Sequence, residues 1–125
     1  MDNLSADKLV ICEVVENWVV YRDAGDWARF ATVWHAEGWM TSTWFQGPAA
    51  DFIEASRKLF DQGGNIFHTL AGWTCDIVGK RAISQVKMII DQRAVLDGSA
   101  QPELKAHLKR AQERKYPSPI LERDI

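Results

Sequence analysis

Apolar residues recur every three to four positions in three stretches of the first half of the chain, which is the spacing of one face of an amphipathic helix. The first stripe consists of Ile11, Val14, Val15 and Trp18. Ser5 and Asp26 are suitable helix starts, and Ala24-Gly25 is a suitable helix end. The pattern predicts helices over residues 5–22, 26–35 and 48–62.

Between and after these stretches the apolar residues alternate with polar ones, as in strands. This alternation, rich in aromatic and β-branched residues, predicts strands over 39–46, 65–78 and 81–96, with a tight turn at Gly79-Lys80. After Asp97-Gly98 the spacing returns to that of a helix, as far as about Tyr116. The order predicts an α+β fold in which helices pack on one curved antiparallel sheet.

A change in composition falls at Asp97-Gly98. All six tryptophans lie at or before Trp73, and the segment after Gly98 is basic while the body before it is acidic. With 125 residues the chain has the length of one domain. We therefore divide it into a body, residues 1–98, and a helical C-terminal extension, residues 99–125, that packs on the same domain.

Charge and motifs exclude several classes of function. The net charge of −2 argues against nucleic acid or an anionic membrane as the partner, and no apolar run approaches the ~20 residues of a membrane span. Two cysteines, Cys12 and Cys75, do not make a disulfide framework, so we expect a cytoplasmic protein. No zinc-type ligand spacing and no glycine-rich phosphate loop is present, so we expect no metal and no cofactor.

Several segments together carry a resemblance to a known family. They are Asn17 to Trp27, Val33 to His35, Gly38 to Met40, Asn65 to His68 and Gly79 to Gln85. Over roughly residues 8–98 the chain resembles the SnoaL-like branch of the nuclear transport factor 2-like superfamily. The resemblance implies a strongly curved sheet with helices closing its concave side around a conical apolar pocket. Known members include polyketide cyclases, scytalone dehydratase, a dehydrochlorinase and ketosteroid isomerase, as well as binding modules without catalysis.

The resemblance points to Asp23 and His68 as a catalytic pair. Asp23 matches the aspartate that the dehydratase and dehydrochlorinase members carry at the end of the first helix, and His68 matches their histidine. A histidine is suited to proton abstraction near neutral pH, and an aspartate can hold its other ring nitrogen and fix the tautomer. From the residues alone, Asp23 is equally a turn residue before Ala24-Gly25, and His68 an ordinary strand residue.

Strand parity suggests which residues accompany His68 in the pocket. Side chains two apart share a face, so Ile66 lies beside His68. By position in the family, the neighbouring pocket residues are Met40, Trp44, Met88 and Ile90. The same five apolar residues could instead simply fill the core, because composition does not separate a pocket wall from a core. Weaker polar candidates are His35 with Glu37, and Arg93.

Two departures from the family change the expectation. The family's last two long strands are missing after Gly98 or replaced by a helix, and only Pro119 to Asp124 resembles the terminal strand. Trp18 stands where the dehydrochlorinase has a pocket lysine. A sheet without its last strands exposes an edge, which the last helix or a second subunit can cover unless the chain is a truncated or degenerate family member. We expect a homo-oligomer, most simply a dimer, that buries sheet residues with Trp39, Trp44 and Trp73. Two functions stay open: a cofactor-independent lyase or isomerase acting on a small apolar organic molecule, and a non-catalytic ligand-binding or dimerisation module.

Overall fold

The computed structural model describes residues 3–93 and 120–123. Within them the helices are α1 (Asn3–Ala24), α2 (Trp27–Phe30), which continues into a 3₁₀ turn at Ala31–Val33, and α3 (Ala49–Asp61). The strands are β1 (Trp39–Thr41), β2 (Gln46–Pro48), β3 (Asn65–Val78), β4 (Arg81–Arg93) and β5 (Ile120–Arg123). The predicted α+β architecture is confirmed. The predicted helix after Gly98 and the packing of the 99–125 extension lie outside the described residues, except at β5.

The second predicted helix, 26–35, is shorter than expected. Asp26 caps it as predicted, because its carboxylate accepts a hydrogen bond from the Arg29 backbone N–H at 3.2 Å. One α turn then tightens into the 3₁₀ turn, and Trp34 is already extended, with φ −107° and ψ 139°. By contrast, α3 begins and ends within one residue of the prediction, with Pro48 as its cap.

The prediction of one strand over 39–46 is wrong. The segment is a hairpin in which Trp39 pairs with Pro48 and Thr41 with Gln46. Ser42 makes the turn, because its N–H donates to the Phe45 carbonyl at 2.8 Å and its Oγ accepts the Phe45 N–H at 3.2 Å. A serine side chain that satisfies its own turn competes with continued strand structure, and strand periodicity does not reveal it.

Strands β3 and β4 form the long hairpin of a second antiparallel sheet, in the order β3-β4-β5. The prediction of a single sheet is therefore wrong for the described residues, since β1 and β2 pair only with each other. A β-bulge interrupts the β3–β4 register between Leu70 and Trp73, and Gly72 lies inside it with φ +150°. Bulges bend the strand that carries them, and here the bend falls close to His68.

The segment Pro119 to Asp124, which resembles the family's terminal strand in the sequence, contains β5, so one of the two final strands expected to be missing is present. Strand β5 pairs antiparallel with β4, from Ser84 opposite Arg123 to Lys87 opposite Ile120. Its pairing supplies partners for backbone groups that an edge strand would otherwise leave unpaired. The exposed edge that suggested oligomerisation is therefore partly covered by the chain itself.

The core lies between α1, α2, α3 and the inner face of the long hairpin. One cluster of buried residues comprises Trp18, Val19, Phe30, Met40 and Phe52, and a second comprises Val15, Val86 and Met88. Phe30 is fully buried and contacts Trp18 edge to face at 5.2 Å between ring centroids. Both clusters draw on α1, which holds that helix against the sheet with Asp23 in its last turn.

Candidate active site

Asp23 owes its position to the way α1 ends. The Asp26 N–H donates to the Tyr21 carbonyl at 2.9 Å and the Gly25 N–H to the Arg22 carbonyl at 3.2 Å, the two bonds of a Schellman C-cap. Gly25 has φ +69°, a left-handed conformation that glycine adopts without a steric penalty. Asp26 caps α2, whereas the Asp23 carboxylate contacts β3.

His68 lies on β3 and holds both oxygens of that carboxylate. The His68 backbone N–H donates to Asp23 Oδ2 at 2.7 Å, and ring nitrogen Nδ1 lies 2.6 Å from Asp23 Oδ1. The side chains are 6% exposed for His68 and 12% for Asp23. This two-point contact, which we call the Asp23 clamp, fixes the rotamers of both side chains. The structure thus brings together the two residues that the resemblance selected.

The Asp23 clamp also selects the tautomer of the imidazole. An ionised carboxylate only accepts hydrogen bonds, so in the neutral ring the proton belongs on Nδ1, facing Oδ1. Ring nitrogen Nε2 is then left with a lone pair. This is the arrangement in which an aspartate makes a histidine a general base.

Two residues of α1 complete the surroundings of the pair. The Trp18 indole meets the His68 ring edge to face, with centroids 5.7 Å apart and planes at 90°. Arg22 is only 3% exposed, and its guanidinium carbon lies 5.7 Å from the Trp27 ring centre. Burial lowers the pKa of the Arg22 guanidinium, and the negative charge of Asp23 opposes that shift. A buried cation thus stands next in sequence to the buried carboxylate.

A cavity of about 420 Å³ opens between α1, the β1 region and β4. Its apolar wall comprises Val14, Val15, Trp18 and Val19 of α1, Val86 and Met88 of β4, and Val33, Trp34, Trp39 and Met40 of the segment that runs from the 3₁₀ turn into β1. The polar groups of its wall are His35, Glu37, Thr41 and Ser84. A volume of this size suits a small organic molecule.

The cavity does not include every residue that the sequence placed there. Met40 and Met88 line it, whereas Trp44, Ile66 and Ile90 do not. Trp44 packs against the first core cluster, Ile66 is buried, and Ile90 packs against the second cluster. Neither Asp23 nor His68 is part of the wall; Trp18 lines the cavity and contacts the His68 ring.

Of the wall residues contributed by α1, the family resemblance marked the position of Trp18, whereas Val14, Val15 and Val19 were missed. Val14, Val15 and Trp18 were assigned to the helix stripe that faces the core, and the same stripe faces the cavity, five to nine residues before Asp23. An inward stripe does not indicate by itself whether the space opposite is filled. Only the placement of β1 and β4 opposite α1 shows that part of it is open.

The weaker polar candidates, His35 with Glu37 and Arg93, lie at different places in the fold. His35 Nδ1 accepts a hydrogen bond from the Glu37 N–H at 3.0 Å, so these two residues form a local turn at the cavity mouth. Arg93 is exposed at the end of β4. Among residues 3–93 and 120–123, no three histidine, cysteine or acidic side chains cluster in a way that could hold a metal ion.

Fold and site together define an α+β protein with a buried aspartate–histidine pair close to an apolar cavity. The chain belongs to the SnoaL-like domain family, within the nuclear transport factor 2-like superfamily: the family model matches residues 4–110. The resemblance seen in the sequence is therefore confirmed. In the part of the chain that the structure describes, no helix has the length and apolar character needed to cross a membrane.

Curated fungal proteins match the chain as well. It is 37% identical over 101 residues to a PEP2-like protein of Fusarium vanettenii, covering 78% of this chain and 43% of that protein. It is 37% identical over 101 residues to an uncharacterized protein of Emericella nidulans, covering 78% and 42%. It is 36% identical over 102 residues to pea pathogenicity protein 2 of Fusarium vanettenii, covering 78% and 43%. The chain thus spans less than half the length of the curated relatives it matches.

Proposed function

We propose that the protein is a cofactor-independent lyase or isomerase that acts on a small, largely apolar organic molecule. The single observation that carries the proposal is the Asp23 clamp, in which one buried carboxylate holds both the ring and the backbone N–H of His68. A histidine needed only for packing does not require a carboxylate on Nδ1. A histidine that must keep Nε2 unprotonated does.

In this proposal His68 is the general base and Asp23 its positioning residue. Nε2 removes a proton from a carbon atom of the ligand, and the electron pair of that C–H bond forms a new C=C bond. In an elimination the leaving group departs from the adjacent carbon with its electron pair. In an isomerisation no group leaves: the π pair of an adjacent carbonyl moves onto its oxygen to give an enolate, and a C=C pair then takes the proton back from the imidazolium at another carbon while the C=O bond re-forms. The Asp23 carboxylate stabilises the imidazolium that forms between these steps.

The surroundings of the pair support this chemistry. The His68 ring is almost fully buried, in contact with the indole of Trp18, so water competes weakly for the abstracted proton. The nearby cavity offers an apolar wall of valines, methionines and tryptophans. The proposal places the reaction in the cytoplasm, since Cys12 and Cys75 are both free thiols.

One observation favours a second candidate, a non-catalytic ligand-binding module. The cavity wall contains Trp18 but not His68, so a ligand seated in this cavity meets the indole rather than the imidazole. A lyase requires the ligand to reach Nε2, either past the Trp18 side chain or after that side chain turns aside. A binding module requires neither.

Hydrogen–deuterium exchange separates the two candidates without knowledge of the natural substrate. A panel of small apolar ketones is incubated with the protein in D₂O, and exchange at the carbon next to the carbonyl is followed by ¹H NMR. We expect catalysed exchange for at least one ketone and a loss of about 100-fold or more in His68→Ala. His35→Ala is the matched control, because His35 lines the same cavity without taking part in the clamp, and it should retain exchange within a few-fold.

Two results would contradict the enzymatic proposal. One is the absence of catalysed exchange across the panel while ligands still bind the cavity, which would support the binding module. The other is exchange that survives in His68→Ala at the rate of the unsubstituted protein.

A further inference from the structure

The cavity extends along the inward face of β4. Its wall includes three successive inward positions of that strand, Ser84, Val86 and Met88, which are 4%, 5% and 2% exposed. Alternate residues of a strand are about 6.6 Å apart, so this part of the wall is about 13 Å long. An extended chain advances roughly 1.2 Å per bond, so a chain of roughly ten bonds matches that length.

Ser84 is the one buried residue among the polar side chains that the structure describes in this wall. The others, His35, Glu37 and Thr41, are exposed, so water can satisfy their polar groups. Ser84 is buried, and the two inward residues that follow it on β4 belong to an apolar cluster. A hydrogen bond to a buried group is selective, because a ligand that cannot form it leaves that group without a partner.

The Ser84 hydroxyl can still accept a hydrogen bond. Its proton is used in a long contact, 3.4 Å from Oγ to the Thr74 carbonyl of β3. A hydroxyl oxygen also has two acceptor lone pairs, and no donor within residues 3–93 and 120–123 reaches them. Buried polar atoms are normally hydrogen-bonded, so this hydroxyl is suited to a ligand group that donates.

The opposite end of the cavity lies towards His68. Ile90 is the next inward position of β4 after Met88, and it pairs with His68 in register. Trp18 lines the cavity and contacts the His68 ring. A ligand that lies along β4 therefore has one end at Ser84 and the other end beside Trp18, in the direction of the imidazole.

We propose that Ser84 determines the specificity of the cavity, and that the ligand is elongated, with an apolar body of at least about ten bonds. The end against Ser84 carries a hydroxyl group that donates to Ser84 Oγ. The other end carries a carbonyl, next to the carbon that His68 deprotonates. The position of the carbonyl rests on the proposed function, whereas the contact at Ser84 is the same for a ligand-binding module.

Isothermal titration calorimetry with three matched probes tests the contact at Ser84. The probes are 2-decanone, its derivative with a hydroxyl on the terminal carbon, and the methyl ether of that derivative. The hydroxyl should lower the dissociation constant about five- to tenfold relative to 2-decanone, because it adds one buried hydrogen bond. The methyl ether cannot donate a hydrogen bond, so it should bind no more tightly than 2-decanone.

Two alanine variants assign the preference to one hydroxyl. Ser84→Ala should remove the preference for the hydroxy ketone, while 2-decanone still binds within about twofold of its affinity for the unsubstituted protein. Ser56→Ala is the matched control, because it removes another buried serine hydroxyl that is not part of the cavity wall, and it should keep the preference. Retained binding of 2-decanone shows that each variant is folded.

The length of the ligand is tested with unsubstituted methyl ketones of four to twelve carbons. Each added CH₂ group buries further apolar surface along the wall, so it should lower the dissociation constant about three- to fourfold. This gain should continue as far as about ten carbons, the length of the wall from Ser84 to Met88.

The proposal is overturned if none of the three probes binds, if the hydroxyl gives no gain in affinity, or if the gain survives in Ser84→Ala. Equal affinity for the methyl ether and the hydroxy ketone, or an affinity that stops rising at six carbons or fewer, would overturn it as well. Exchange in D₂O separates it from the proposed function. Preferred binding of the hydroxy ketone without exchange supports the role of Ser84 and contradicts the enzyme, and catalysed exchange without that preference does the reverse.

Discussion

Replacing Asp23 by asparagine keeps the shape of the side chain but turns one of its two acceptors into a donor. The His68 backbone N–H can only donate, so the amide oxygen must take the place of Oδ2. The amide NH₂ then faces ring nitrogen Nδ1, which must accept. We therefore expect the neutral ring to change tautomer, with its proton on Nε2, where it prevents that nitrogen from acting as a base.

The size of the stability change follows from the same two bonds. Contacts of 2.7 and 2.6 Å to a carboxylate become contacts to a neutral amide, which costs about 1 kcal/mol for each bond. A neutral amide is easier to bury than a carboxylate, so the net loss in free energy of unfolding should be about 1–2 kcal/mol. Asp23→Ala removes both acceptors and leaves a buried N–H without a partner, so we expect about 2–4 kcal/mol.

The tautomer is measured by ¹⁵N NMR of histidine-labelled protein at a pH where the rings are neutral. His35 provides an internal reference for the Nε2–H form, because its Nδ1 accepts the Glu37 N–H at 3.0 Å. Urea unfolding gives the free energies. An Asp23→Asn protein that keeps its proton on Nδ1, or that loses as much stability as Asp23→Ala, would refute the reasoning.

Three further predictions concern the scaffold. Gly25→Ala should lower the free energy of unfolding by about 2–4 kcal/mol and Gly79→Ala by about 1 kcal/mol. The backbone φ is positive at both sites, but only at position 25 would the new Cβ clash, at 2.5 Å from the Phe60 ring. Equal losses of stability in urea unfolding would contradict this prediction. Ser56→Ala should leave stability unchanged or raise it by up to about 1 kcal/mol, since its buried Oγ has no hydrogen-bond partner among the described residues; a clear loss would show that the hydroxyl has one. Met88→Ala should cost about 2–5 kcal/mol and enlarge the cavity that Met88 lines, visible as increased binding of a bulkier apolar ligand; unchanged stability would mean that Met88 packs loosely.

Long periodic elements could be predicted from the sequence, and short ones could not. Helix α3 and the long β3–β4 hairpin match their expected bounds closely, because the spacing of their apolar residues extends over many positions. The β1–β2 hairpin was missed because a single serine side chain makes its turn. Strand β5 has four residues, too few for a periodic pattern, and only the resemblance of Pro119 to Asp124 to the family's terminal strand indicated it.

At the candidate site, too, some features could be predicted from the sequence and others could not. The pairing of Asp23 with His68 was expected because the resemblance located both residues, and it is present. Which apolar residues form a wall and which form the core depends on how far apart α1, β1 and β4 lie, a tertiary quantity that strand parity does not contain. Ile66 and Ile90 lie on the strand faces that parity predicts, but they do not line the cavity. The sequence does not indicate that Arg22 is buried, because an arginine in the last turn of a helix is common on solvent-exposed faces.

The central claim is that His68 acts on a ligand held at the cavity, and a crystal structure with a bound ketone from the exchange panel tests it most directly. The decisive quantity is the distance from His68 Nε2 to the ligand carbon that would lose its proton. The account predicts about 3–3.5 Å, with Trp18 turned aside or flanking the ligand and Nδ1 still on Asp23. A ligand seated in the cavity with the Trp18 indole between it and the imidazole would contradict the account and identify the protein as a binding module.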